Sequence, residues 1–142
     1  MPFVLSDVPM SLLNAEGHSI FVSELTVGAQ LLSLHDHKIR NDFVSWVGGY
    51  RVKVDESLPD VLAGYPVRIR KNAIAEQIPC ADLLVTASHE IFIDNLFIPI
   101  RRLVNGVSIY FDTDYTSYVA RSFALRETII VVVNGIALKA KS

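Results

Sequence analysis

Three dipeptides set between short apolar runs constrain this chain most: Asp94-Asn95, Asn105-Gly106 and Asn134-Gly135. Asn, Asp and Gly tolerate positive φ, which the tight turn between two antiparallel strands demands. Ile91 to Ile93 and Leu96 to Ile98 flank the first, and Leu103-Val104 and Val107 to Ile109 flank the second. The third follows Thr128 to Val133. Runs this short read as strands. Further strands are predicted over Ile20 to Leu25, Gln30 to Leu34, Phe43 to Val47 and Arg51 to Val54. Gly28, the polar stretch His35 to Asp42, and Gly48-Gly49 separate them. Arg51-Val52-Lys53-Val54 alternates polar and apolar, as a half-buried strand does. The one helical candidate is Lys71 to Gln77, stopped near Pro79. The expected fold class is all-β, a single domain over residues 1–142 built of many short strands and hairpins. Trp46, Val67, Ile69, Leu84, Val85, Ile91, Ile93, Ile130 and Val132 are its expected core.

Composition narrows the function classes. A chain of 142 residues can bury roughly two thirds of its unfolded surface. A net charge of −2 lacks the basic excess of a nucleic-acid binder, and 51% apolar residues exclude a disordered tail. Ile129 to Val133, the longest apolar run, is far too short to span a bilayer. Neither nucleic acid nor membrane is therefore an expected partner. The single Cys80 excludes an internal disulfide and a multi-cysteine zinc site, and no cofactor is implied. Met1 to Met10 lacks the basic start and apolar core of a secretion signal, so a cytoplasmic location is expected.

The stretch Leu83 to Ile93, LLVTASHEIFI, carries the chemistry. An apolar run breaks into Thr86-Ala87-Ser88-His89 and resumes as an alternating strand. A Thr and a His three residues apart at a strand junction can both reach one peptide bond. The hydroxyl polarises the carbonyl and the imidazole gives a proton to the leaving nitrogen.

This T-x-x-H block resembles that of hedgehog/intein (Hint) domains, and the order of other pieces extends the resemblance over most of the chain. Gly17 to Gly28, GHSIFVSELTVG, is similar to the early segment in which a glycine turn leads into a strand and bend. Ser45-Trp46-Val47-Gly48-Gly49 resembles the following "R-W-I-G" stretch. Pro66 to Ala73, PVRIRKNA, resembles "P-V-R-I-R-A-G-A". Asp82 to His89 matches "D-L-L-V-S-P-x-H", and Phe97 to Gly106 matches "P-A-R-x-L-V-N-G".

The resemblance implies a bacterial Hint-type horseshoe of short strands and an autoproteolytic activity. A Cys or Ser at the start of such a domain attacks the carbonyl before it, turning an amide into a thioester or ester. Thr86 and His89 occupy the positions that assist this acyl shift. The substrate is the chain's own polypeptide; no protein partner is identifiable. The implied nucleophile lies among Phe3 to Pro9, where there is no cysteine and Ser6 is the nearest candidate, with Ser11 a poorer one. The late histidine that the family often carries is missing from Tyr118 to Phe123, and Lys139 to Ser142 lacks the terminal Asn that splicing needs. These departures imply a degenerate, inactive member, in which Ser6 should lie near the His89 ring if the geometry is kept.

Plainer readings stand beside these. Without the family, Thr86 and His89 are a strand-end hydroxyl and a hydrogen-bonded histidine. Cys80 beside Pro79 is a small buried or loop residue. His35 and His37, with Asp36 between them and Lys38 following, read as a solvated hairpin rather than a metal site. Arg68 with Arg70, and Arg101 with Arg102, read as exposed strand edges. The alternative function is a non-catalytic β module with a structural or interaction role.

Overall fold

A computed structural model describes residues 4–5, 12–13, 19–20 and 24–140, the first three pairs through their backbone pairing alone. Strands β1 (Val4–Leu5), β2 (Leu12–Leu13) and β3 (Ser19–Ile20) are short. Strands β4 (Gln30–His35) and β5 (Lys38–Lys53) form a hairpin about Asp36-His37, at φ 49° and 63°. A single helical turn α1 (Asp60–Ala63) precedes β6 (Val67–Ile69) and β7 (Leu83–Val85). Strands β8 (Glu90–Ile93) and β9 (Leu96–Pro99) turn at Asp94-Asn95, φ 50° and 62°. Then come β10 (Ile109–Phe111), β11 (Ser117–Leu125), and the hairpin β12 (Ile130–Val133) and β13 (Ile136–Lys139). That hairpin turns at Asn134-Gly135, φ 49° and 86°. Paired positive φ values are the signature of the turn whose twist matches antiparallel strands.

The sheet runs β10-β6-β7-β1-β11-β5-β4-β12-β13-β8-β9, with β2 and β3 joined through β12. The fold is all-β, as the punctuation of the sequence predicts. The 16-residue β5 spans the two halves, pairing with β4 near its start and with β11 along the rest. Side chains alternate across β7. Leu83 and Val85 enter the larger core with Leu31, Val44, Val67 and Ile69, while Leu84 joins Val54, Ala63, Tyr65, Tyr118 and Ala120 on the other face. Each such burial is worth roughly 1.5–3 kcal/mol.

Several expectations are corrected. Gly48-Gly49 does not end a strand: both residues pair with β11, opposite Ser122 and Arg121. A Cβ on Gly49 would come 2.6 Å from the Ala120 carbonyl oxygen, so glycine is what permits the close approach. Trp46 is 38% exposed rather than core, its indole lying over Gly48. On β12 it is Val131 and Val133 that are buried, while Ile130 and Val132 are half-buried, as is Ile93. The phase there is shifted by one residue. Lys71 to Gln77 is not helical. Asn72 and Gln77 take positive φ, and the Asn72 carboxamide captures the Gln77 amide at 2.8 Å in place of a helical bond. Asn105-Gly106 closes a loop rather than a two-strand hairpin, because the Asn105 Oδ1 accepts from the amides of Val107, Ser108 and Ile109. Arg68 is not on an edge: it lies in β6, between β10 and β7, and its guanidinium pairs with Asp82 and, at 2.8 Å, with Asp112. Arg70 is exposed, but just past the end of β6, where it also pairs with Asp82. Arg101 and Arg102 are exposed, but on a 3₁₀ turn.

Candidate active site

The three buried apolar residues of β7 run directly into the Thr86-Ala87-Ser88-His89 turn, where the His89 amide donates to the Thr86 carbonyl at 3.0 Å. A spacing of three is thus a single β-turn, whose end residues lie within about 7 Å of one another. The turn sorts its side chains: Thr86 and His89 are buried at 6% and 1% exposure, while Ser88 is exposed. A second element grips it from outside. Pro99 ends β9 at φ −59°, and the 3₁₀ turn Ile100–Leu103 begins there with amides that have no partner inside the helix. The Ile100 amide donates to the His89 carbonyl at 2.8 Å and the Arg101 amide to the Ala87 carbonyl at 3.0 Å. Sequence reasoning missed this clamp, although Pro99 before an apolar Ile100 is the kind of start signal that marks it.

The N-terminal strand lies against this turn. Val4 of β1 pairs with Val85, the residue immediately before Thr86. The pairing is antiparallel, so the step from Val4 to Leu5 leads away from Thr86. Leu5 pairs with Ala120, and Val4 with Arg121. The nitrogen end of Val4 is therefore the end nearer Thr86. Thr86 Oγ1 is buried and has no hydrogen-bond partner among the described residues, and Ser122 Oγ on β11 is in the same condition.

Ser6 falls outside the described residues. Cys80 is an exposed loop residue, its amide bonded to the Asn134 carbonyl at 2.9 Å. Asn134 is buried in the β12–β13 turn with its carboxamide on the Ala81 carbonyl at 3.3 Å. His35 is paired with its neighbour Asp36 at 3.3 Å at a hairpin tip. Among the described residues no group of three or more His, Cys, Asp or Glu is placed to hold a metal ion. No helix among them is long and apolar enough to cross a membrane.

The all-β fold that carries this buried turn is like that of solved intein and intein-like domains. A bacterial intein-like domain from Clostridium thermocellum superposes with a TM-score of 0.74 at 9% identity, over 99% of each chain. A DnaB intein from Synechocystis sp. gives 0.67 at 15% identity over the whole of both chains. A mini-intein variant of the Ssp DnaB intein gives 0.68 at 13%, over 98% of this chain and 94% of that one. The Hint domain family model matches residues 10–140, and this chain belongs to the Hint domain family. No curated protein matches it.

Proposed function

We propose that this chain is a Hint-type autoprocessing domain, acting on its own polypeptide, that keeps the assisting half of the apparatus and lacks a well-placed nucleophile. The observation that carries this reading is the buried Thr86–His89 turn seated beside Val4 of β1. Thr86 offers its hydroxyl to the carbonyl of the bond leading into Val4, and His89 gives a proton to the nitrogen that leaves. The attacking group belongs on residue 4, and valine supplies none. Ser6 is the nearest native hydroxyl, but it stands two residues further along the sequence than residue 4. Native processing at Ser6 is accordingly slow. The unit is taken to be residues 1–142.

The second reading, a non-catalytic β module on an inherited fold, draws on the same fact: Phe3, Val4 and Leu5 are all apolar. One experiment separates the two. The intact mass of the purified chain is followed with hydroxylamine, and that of Val4→Cys with a strong thiol. An autoprocessing site releases residues 1–3 from the Val4→Cys chain within hours, and any slow native loss of residues 1–5 stops with Ser6→Ala. A chain that stays whole in every arm is the non-catalytic module.

A further inference from the structure

We propose that Ser122 is a second catalytic hydroxyl of this site, standing across β1 from Thr86 and donating to the same carbonyl oxygen; the inference rests on the self-processing reading above. The sheet register carries it. Arg121 pairs with Val4, and Val4 with Val85, so these three form one row across β11, β1 and β7. Ser122 and Thr86 each follow the outer members of that row by one residue. Both β11 and β7 run antiparallel to β1, so both steps go the same way, away from Leu5. Neighbouring strands lie about 4.8 Å apart, which puts each hydroxyl-bearing residue roughly one strand spacing from the line of β1.

The two hydroxyls also share a face. Alternation along the strands places Ser122 with Ala120 and Tyr118, and Thr86 with Leu84; those three partners belong to one apolar cluster. Ser122 is 3% exposed and its Oγ, like Thr86 Oγ1, has no hydrogen-bond partner among the described residues. Leaving a buried hydroxyl unmatched is costly, and a fold seldom does so twice on one face around one strand. An oxyanion is the ligand such a pair fits. Gly48, which pairs with Ser122, lies under the Trp46 indole: a Cβ there would come 2.4 Å from the ring. The ring thus lies beside Ser122 and helps keep water from it.

In the Val4→Cys chain the step balances without another reactant. The sulfur at residue 4 bonds to the carbonyl carbon as its proton passes to His89, and the negative charge on the oxygen is stabilised by the two O–H donors. When the intermediate collapses the C–N bond breaks, the nitrogen takes that proton from His89, and a thioester remains. Ser122 ends the step as it began, protonated.

The test uses the full chain carrying Val4→Cys and measures the rate of thiol-dependent release of residues 1–3 by intact mass. Adding Ser122→Ala should slow release about a hundredfold, the usual effect of deleting one oxyanion donor. Its Tm should stay within about 2 °C, and Ser122→Thr should recover most of the rate. With Thr86→Ala the losses should combine less than additively, because both groups serve one oxygen. Release unchanged by Ser122→Ala yet abolished by His89→Ala overturns this inference and leaves the autoprocessing reading standing. A Tm drop above about 5 °C with no rescue by Ser122→Thr makes Ser122 structural and also overturns it. No release from the Val4→Cys chain overturns both.

Discussion

The Asp42 carboxylate and Thr128 are bonded twice, 2.8 Å from Oδ2 to the Thr128 amide and 2.8 Å to its hydroxyl, across 86 residues of sequence. The same oxygen accepts the Glu127 amide at 3.1 Å, and Oδ1 accepts the Phe43 amide at 2.7 Å. One buried carboxylate thereby fixes where β11 leaves β5 and turns towards β12. Asp42→Ala strands several of these donors, and unfolding in urea should show a loss of about 2–4 kcal/mol. A loss below about 0.5 kcal/mol, the size of an ordinary surface change, would show that the corner is held by packing alone.

The same group sets a pH dependence. Burial pushes the Asp42 carboxyl up, but the bonds from the Thr128 hydroxyl and from the Phe43, Glu127 and Thr128 amides outweigh it, and its pKa lies below the usual aspartate value. The unfolded chain therefore binds the proton more readily. The stabilisation is fully present above the unfolded value, near pH 4, and fades as pH falls through the lower folded value. Stability of the native chain should drop more steeply below pH 4 than that of Asp42→Asn, as acid titrations of the melting curve will record. Parallel titrations would contradict this.

Two adjacent glycines should respond differently. Gly49→Ala sets a methyl 2.6 Å from a backbone oxygen of β11, which cannot swing aside. A destabilisation of at least about 1–3 kcal/mol is expected. Gly48→Ala meets the Trp46 indole first, a half-exposed side chain rather than backbone. The expected result is a modest stability change with a red-shifted emission from Trp46, the chain's one tryptophan.

Breaking the Arg68–Asp112 pair leaves a carboxylate that is 6% exposed with, among the described residues, no cation on Oδ2 and only the Asp114 amide on Oδ1. Arg68→Ala should cost about 2–3 kcal/mol, and Arg68→Lys should recover only part, since an ammonium cannot span both Asp112 and Asp82 as the guanidinium does. Equal melting temperatures for Arg68→Ala and the native chain would refute this.

What the sequence disclosed, it disclosed through turns. Asp94-Asn95 and Asn134-Gly135 mark hairpins because their backbone needs are local, and Thr86-x-x-His89 stands out because its spacing is that of one turn. Strand phase in Ile129 to Val133 was not legible, since five apolar residues in succession carry no alternation to read. Trp46 reads as core because it belongs to a strand-like apolar segment, yet its place is set by a neighbouring glycine that offers the indole a flat seat. Lys71 to Gln77 has helical composition, and only the capture of an amide by Asn72 overrides it. Ser122 gave no sign, because its position opposite Thr86 arises from pairing β11 and β7 to the same two-residue strand, a relation between residues more than thirty apart.

The most direct test of the central claim is the intact mass of Val4→Cys, with and without His89→Ala, after incubation with a strong thiol at neutral pH. Thr86 and His89 assisting cleavage of the bond leading into residue 4 predicts loss of residues 1–3 in the first chain and a full-length, folded second chain. Equal release from both, or none from either, would contradict it.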